Sequence, residues 1–108
     1  MVDFKEIRAQ FPILDQEIHG HPLVYLDSAA TSQKPNAVID VEANFYRTIN
    51  AGVHRGAHEL AARSTVAFEE ARAKVAKLVG ANTAEGEEEV VVTGGATAGL
   101  NLLATAFG

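Results

Sequence analysis

A β-branched run, Val90-Val91-Val92-Thr93, leads into the small-residue loop Thr93-Gly94-Gly95-Ala96-Thr97, and a helical pattern starts at Ala96. Strand, glycine loop and helix in that order suit an anion. The first N–H groups of a helix lack intrahelical partners, the macrodipole is positive there, and small residues let a ligand come close to the backbone. Phosphate is the natural guest. The Thr97 hydroxyl either joins these donors or caps its own helix. The loop is not a P-loop, because Leu100-Asn101 follows Gly99 where Lys and Ser/Thr are required, and the spacing G-x-G-x-x-G is also absent.

Histidine supplies the second candidate chemistry. His54 and His58 are four apart, and His58-Glu59 opens a zincin-like pattern, but Ala62 stands where its second histidine is required. No metal site is expected. His54 lies in the glycine-bracketed stretch Gly52-Val53-His54-Arg55-Gly56, where the backbone can fold tightly around a ligand, so it is either a functional side chain or an exposed loop histidine. His19 and His21 bracket a turn and read as surface residues.

These residues need elements to hold them. Asp3 to Gln10 carries Phe4 and Ile7 at helical spacing behind an Asp3 cap, with Pro12 beyond. The turn residues His19 to Pro22 precede a short buried strand over 23–26, and Asp27 to Ser32 forms a small-residue loop. Pro35 suits the first position of a helix reaching Asn50, with Val38, Val41, Phe45 and Ile49 in one stripe. The longest helix spans 58–79, with Leu60, Ser64, Phe68, Ala71, Val75 and Leu78 on one face, and Gly80 stops it. Glu59 with Arg63 and Glu70 with Lys74 are spaced for i,i+4 pairs. Asn82 to Glu89 reads as a polar, solvated connector, a strand is expected over 90–93, and a final helix over 96–107. Tyr25, Phe45, Tyr46 and Phe68 are expected in the core.

Composition bounds the rest. The 108 residues are 47% hydrophobic and 21% charged, with 9 Gly and 3 Pro, which is globular rather than disordered. Fourteen acids against nine bases give a net charge of -5, so the basic surface that nucleic acid requires is missing. The absence of cysteine excludes disulfides, thiolate metal sites and a cysteine nucleophile within these residues. Charges break up the N-terminus and the apolar runs are short, so neither a signal core nor a membrane span is expected, and the protein reads as soluble and cytoplasmic. Two short strands cannot form an independent sheet. The chain therefore reads as the opening part of a larger α/β domain, here mostly helical with two short strands.

Three segments together resemble one family: Tyr25 to Pro35 (YLDSAATSQKP), Val53 to His58 (VHRGAH), and Thr93 to Ala104 ending GLNLLA. They are similar to the N-terminal region of the pyridoxal-phosphate-dependent cysteine desulfurases of the Suf type, in the class V aminotransferase group. The resemblance implies a fold-type I architecture, a homodimer, and the release of sulfur from L-cysteine as an enzyme persulfide, leaving L-alanine. Iron–sulfur cluster assembly, through an acceptor or scaffold protein, is the implied use. The backbone of Ala96 and the backbone and hydroxyl of Thr97 would hold the phosphate of pyridoxal 5′-phosphate, while Ala29, Ala30 and His54 would border the substrate pocket.

Gly94, Ala96 and Ala98 stand where that family commonly carries Arg, Thr and Glu, so phosphate binding is expected to be weaker here. The cofactor-binding lysine and the persulfide cysteine belong to later family segments. Lys5, Lys34, Lys74 and Lys77 match no family lysine, so no catalytic residue is expected within this chain and it should be inactive alone. Two alternatives are the N-terminal part of a selenocysteine lyase or another class V relative, and a non-catalytic interaction module that docks through its apolar faces.

Overall fold

Asp3 is extended, and its carboxylate accepts from the N–H of Lys5 (2.8 Å), so helix α1 runs Phe4–Ala9 as the spacing implied. The computed structural model describes residues 1–81 and 89–108, so all but the last residue of the expected connector lies outside the described residues. Contacts divide the chain into two units, Met1–Asn50 and Ala51–Gly108.

In the first unit a 3₁₀ turn at Pro12–Leu14 leads into a hairpin of β1 (Glu17–Ile18) and β2 (His21–Pro22), antiparallel with Glu17 opposite Pro22. Its two tip residues, His19 (φ 55°) and Gly20 (φ 77°), are both left-handed, the geometry whose twist matches that of paired strands. His19 and His21 are exposed, as expected. The strand expected over 23–26 does not form. Leu23 donates its N–H to Gln16 (2.9 Å), while its carbonyl accepts from the Arg8 guanidinium (2.8 Å), which also holds the Leu14 carbonyl (2.9 Å). A strand needs a neighbouring backbone, and Val24 and Leu26 here are 73% and 91% exposed.

Helix α2 is Asn36–Thr48. Pro35 stands just outside it, extended at ψ 158°, and its carbonyl accepts from Val38 and Ile39, so the expected first helical position shifts by one residue. The N–H of Asn36 reaches the Gln10 carbonyl (2.7 Å) and ties α2 to the end of α1. Tyr46 is exposed rather than in the core.

The second unit is built on α3 (Glu59–Val79) and α4 (Ala96–Phe107). Gly80 closes α3 at φ 73°, with the N–H of Ala81 returning to the Ala76 carbonyl (2.9 Å). Glu59 and Arg63 pair at 2.8 Å, whereas among the described residues no ion pair joins Glu70 to Lys74. Of the expected stripe on α3, Ser64 is buried and Phe68 half-buried, whereas Leu60, Ala71 and Val75 are exposed and Leu78 is 85% exposed; Ala61 and Ala76, outside the stripe, are buried. Val90 to Thr93, expected as a strand, has no strand partner among the described residues, and Val91 and Val92 are exposed. The two short strands thus lie elsewhere than expected, for the reason that made them suspect: unpaired backbone cannot form a sheet. No helix among the described residues is long and apolar enough to cross a membrane.

Candidate functional site

Small residues on α3 let the loop before it lie close. Ser64 is fully buried and its hydroxyl donates to the Ala51 carbonyl (3.1 Å), and a Cβ at Gly56 would stand 2.6 Å from that of Ala61. His58 precedes α3 and caps it, its Nδ1 accepting from the N–H of Ala61 (3.3 Å). That explains His58 without a metal.

The loop brings His54 onto one face of α3. Its backbone is left-handed (φ 56°) and its N–H donates to Thr65 Oγ1 (3.0 Å). The ring stands edge-on to Phe68 (centroids 6.3 Å apart, 88° between planes), and Nε2 lies 2.7 Å from Glu69 Oε1. Arg72 holds the other carboxylate oxygen, with Nη2 at 2.6 Å and Nε at 2.9 Å. Thr65, Phe68, Glu69 and Arg72 recur at helical spacing, so one stripe of α3 fixes the histidine. His54 is therefore neither buried nor loose: its side chain is 57% exposed and anchored. Glu69 and Arg72 were not singled out in the sequence, though an acid and a base at i,i+3 beside Phe68 are a readable signal.

The His54 ring holds the Glu69 carboxyl below its ordinary value of 4.5, and the Arg72 guanidinium adds to this against the opposing effect of desolvation. A carboxylate with a lowered folded pKa contributes stability that is complete above 4.5 and is lost as pH falls through the lower folded value. The thermal midpoint is therefore expected to drop more steeply below that pH in the native protein than in Glu69→Gln. Parallel profiles for the two would refute the anchor.

The glycine loop ends at Gly95, whose φ of 128° and ψ of 175° fall in a region essentially reserved for glycine. Its carbonyl accepts from Thr93 Oγ1 (3.0 Å) and from the N–H of Gly99 (3.0 Å). The N–H groups of Ala96, Thr97 and Ala98 find no acceptor among the described residues, and no side chain caps α4. The Thr97 hydroxyl has no partner there either, so its capping alternative is not realised. No acid lies in the first turn, and nothing stands within 4 Å of a Cβ built at Gly94 or Gly95. Unpaired donors, an open approach and no opposing charge are the donor set that a phosphate group fits.

Ala29 and Ala30 belong to the first unit and His54, Ala96 and Thr97 to the second. Ala29 and Ala30 form an exposed turn, with the N–H of Ala30 (3.2 Å) and Thr31 (3.1 Å) donated to the Asp27 carbonyl. The Tyr25 hydroxyl lies 2.6 Å from the Thr31 carbonyl and 3.1 Å from that of Asp27, and with one hydrogen it donates to the nearer. Tyr25 is thus a half-buried staple rather than simple core. Tyr25→Phe should lower stability by about 1 kcal/mol in denaturant titration, the usual net value of one such bond. A smaller change would mean that the turn holds without it.

The glycine loop, the VHRGAH loop and the SAAT turn agree with a match of residues 24–108 to the family described as Aminotransferase class-V. The chain belongs to the class-V aminotransferase family. Within it, the chain is 53% identical over 102 residues to a probable cysteine desulfurase of Synechocystis sp., covering 94% of this chain and 24% of that protein. It is 50% identical over 107 residues to a probable cysteine desulfurase of Vibrio cholerae, covering 99% of this chain and 26% of the relative. With a cysteine desulfurase of Klebsiella pneumoniae it shares 50% over 104 residues, 96% of this chain and 25% of that one. The chain thus spans about a quarter of the length of the curated relatives it matches.

Proposed function

We propose that these residues are the N-terminal part of a larger fold-type I, pyridoxal-phosphate-dependent domain. The whole is a cysteine desulfurase that takes sulfur from L-cysteine, giving L-alanine and an enzyme persulfide. The observation that carries this is the Gly95 corner, where the donors opening α4 have no internal acceptor, in a chain about half identical to proteins named cysteine desulfurases. In this reading the N–H groups of Ala96 and Thr97 and the Thr97 hydroxyl hold the phosphate of pyridoxal 5′-phosphate. Once bound, that cofactor supplies the electron sink that amino-acid chemistry requires.

Ala29, Ala30 and His54 border the substrate pocket, with His54 offering a polar contact held rigidly on α3. The 108 residues contain no cysteine to carry sulfur, and Lys5, Lys34, Lys74 and Lys77 match no cofactor-binding lysine of the family, so in this reading they are inactive alone. The sulfur passes to an acceptor or scaffold protein of iron–sulfur cluster assembly, in a cytoplasmic homodimer.

The test compares two proteins supplied with pyridoxal phosphate and L-cysteine. A full-length protein carrying this segment is expected to release alanine and sulfur in equal amounts, and residues 1–108 alone none. Alanine released by the short chain would sink the claim of inactivity. A full-length protein that acts on selenocysteine and leaves cysteine untouched would move the assignment to a selenocysteine lyase.

A further inference from the structure

His54 is held by more contacts than a loop histidine needs. Its backbone occupies the left-handed region, uncommon for a residue other than glycine, and its N–H is bound by Thr65. Its ring edge meets Phe68, and Nε2 is bound by Glu69, which is itself held by Arg72. All of these partners lie on α3, which ties the loop to a rigid element. Nδ1 has no partner among the described residues. A carboxylate can only accept, so the ring nitrogen facing Glu69 carries the proton, and in the neutral ring Nδ1 keeps its lone pair.

We propose that Glu69, backed by Arg72, is a positioning residue that fixes His54 with Nε2 protonated and Nδ1 presented as a hydrogen-bond acceptor. The ligand group this serves is a donor, the ammonium or the thiol of an amino-acid substrate. The proposal rests on the assignment of His54 to the substrate pocket. It adds the residue that sets the ring's orientation and the nitrogen that makes the contact. The Arg72 guanidinium keeps Glu69 ionised and turned toward the ring, so its part is indirect. Thr65 acts on the backbone alone: its hydroxyl donates to the Ala61 carbonyl (2.8 Å) and accepts from His54, which fixes where the ring starts.

Two measurements on the full-length protein separate the proposal from the reading beneath it. The first is the pair of ¹⁵N shifts of the His54 ring with the ring neutral. Native protein should show Nε2 protonated and Nδ1 unprotonated, and in Glu69→Leu the two shifts should move toward one another as both tautomers become populated. Shifts unchanged in Glu69→Leu overturn the proposal whatever the activity does. Glu69→Gln, nearly isosteric, guards against simple misfolding and should give an intermediate change.

The second is a double-mutant cycle on kcat/KM for L-cysteine. Glu69→Leu and His54→Ala should each lose roughly ten- to hundredfold, the scale of a misplaced group, and the double variant should be no worse than His54→Ala. Fully additive losses overturn the positioning role. If His54→Ala leaves kcat/KM unchanged while the ring shifts still respond to Glu69, the pairing stands and the placement of His54 at the substrate falls.

Discussion

Gly95→Ala should weaken pyridoxal phosphate binding in the full-length protein by roughly five- to hundredfold. The reason is local. At φ 128° and ψ 175° the Gly95 backbone lies where a Cβ meets its own flanking peptide groups, at a cost of about 1–3 kcal/mol. Each 1.4 kcal/mol or so corresponds to a factor of ten. Nothing stands within 4 Å of the added methyl, so the loss would come from conformation and not from collision. The alanine variant relieves the strain by rotating the peptide that joins the loop to α4, which swings the N–H groups of Ala96 and Thr97 away from a shared anion.

Gly94 provides the control. It also has open space around a Cβ, but its φ lies outside the left-handed region, so Gly94→Ala should change affinity far less. Cofactor titration by absorbance reads both variants. Equal affinities for Gly94→Ala and Gly95→Ala would remove the loop geometry from the account of binding.

The largest stability effect should come from Gly56→Ala. Here sterics decide, since Gly56 has no positive φ. A methyl at this position would lie 2.6 Å from the Cβ of Ala61 and 3.0 Å from Nε2 of His58. Neither neighbour yields easily: Ala61 is 1% exposed on α3, and the His58 ring is the helix cap. The loop over 52–57 must therefore lift from α3, loosening the Ser64 and Thr65 contacts and the His58 cap together. Overpacking of this kind costs about 1–3 kcal/mol. For a unit of this size that is a fall of roughly 4–8 °C in melting temperature per kcal/mol. The same variant should free the His54 ring, so a thermal shift and a changed histidine spectrum are expected together. An unaltered melting temperature would show that the loop does not depend on this contact.

Much of the helical framework was legible beforehand because helix signals are local. The Asp3 cap, the Gly80 stop and the small-residue start of α4 each act within about one turn, and α1, α3 and α4 appear within a residue or two of the expected bounds. The glycine loop and helix start on which the proposed anion site rests were legible for the same reason, since both are local. The strands were not, because a strand exists only where a second backbone meets it: among the described residues, Leu23 alone of 23–26 meets one, at Gln16, and residues 90–93 have no strand partner. The hairpin at 17–22 escaped notice because four exposed residues carry no apolar alternation.

By itself the sequence determined where helices begin and end, which loop could take a phosphate, and which family the chain resembles. These depend on residue type and short spacing. Only the tertiary structure decided which face of α3 is buried. Within the expected stripe the large ends Leu60 and Leu78 are exposed and Phe68 is half-buried, while the small Ser64 and its neighbour Ala61 are covered. A hydrophobic stripe shows which surface would gain from burial, but the close approach of a backbone selects the side chains short enough to admit it. The same approach places His54 against Glu69, fifteen residues away in the chain, a pairing that neither spacing nor composition contains.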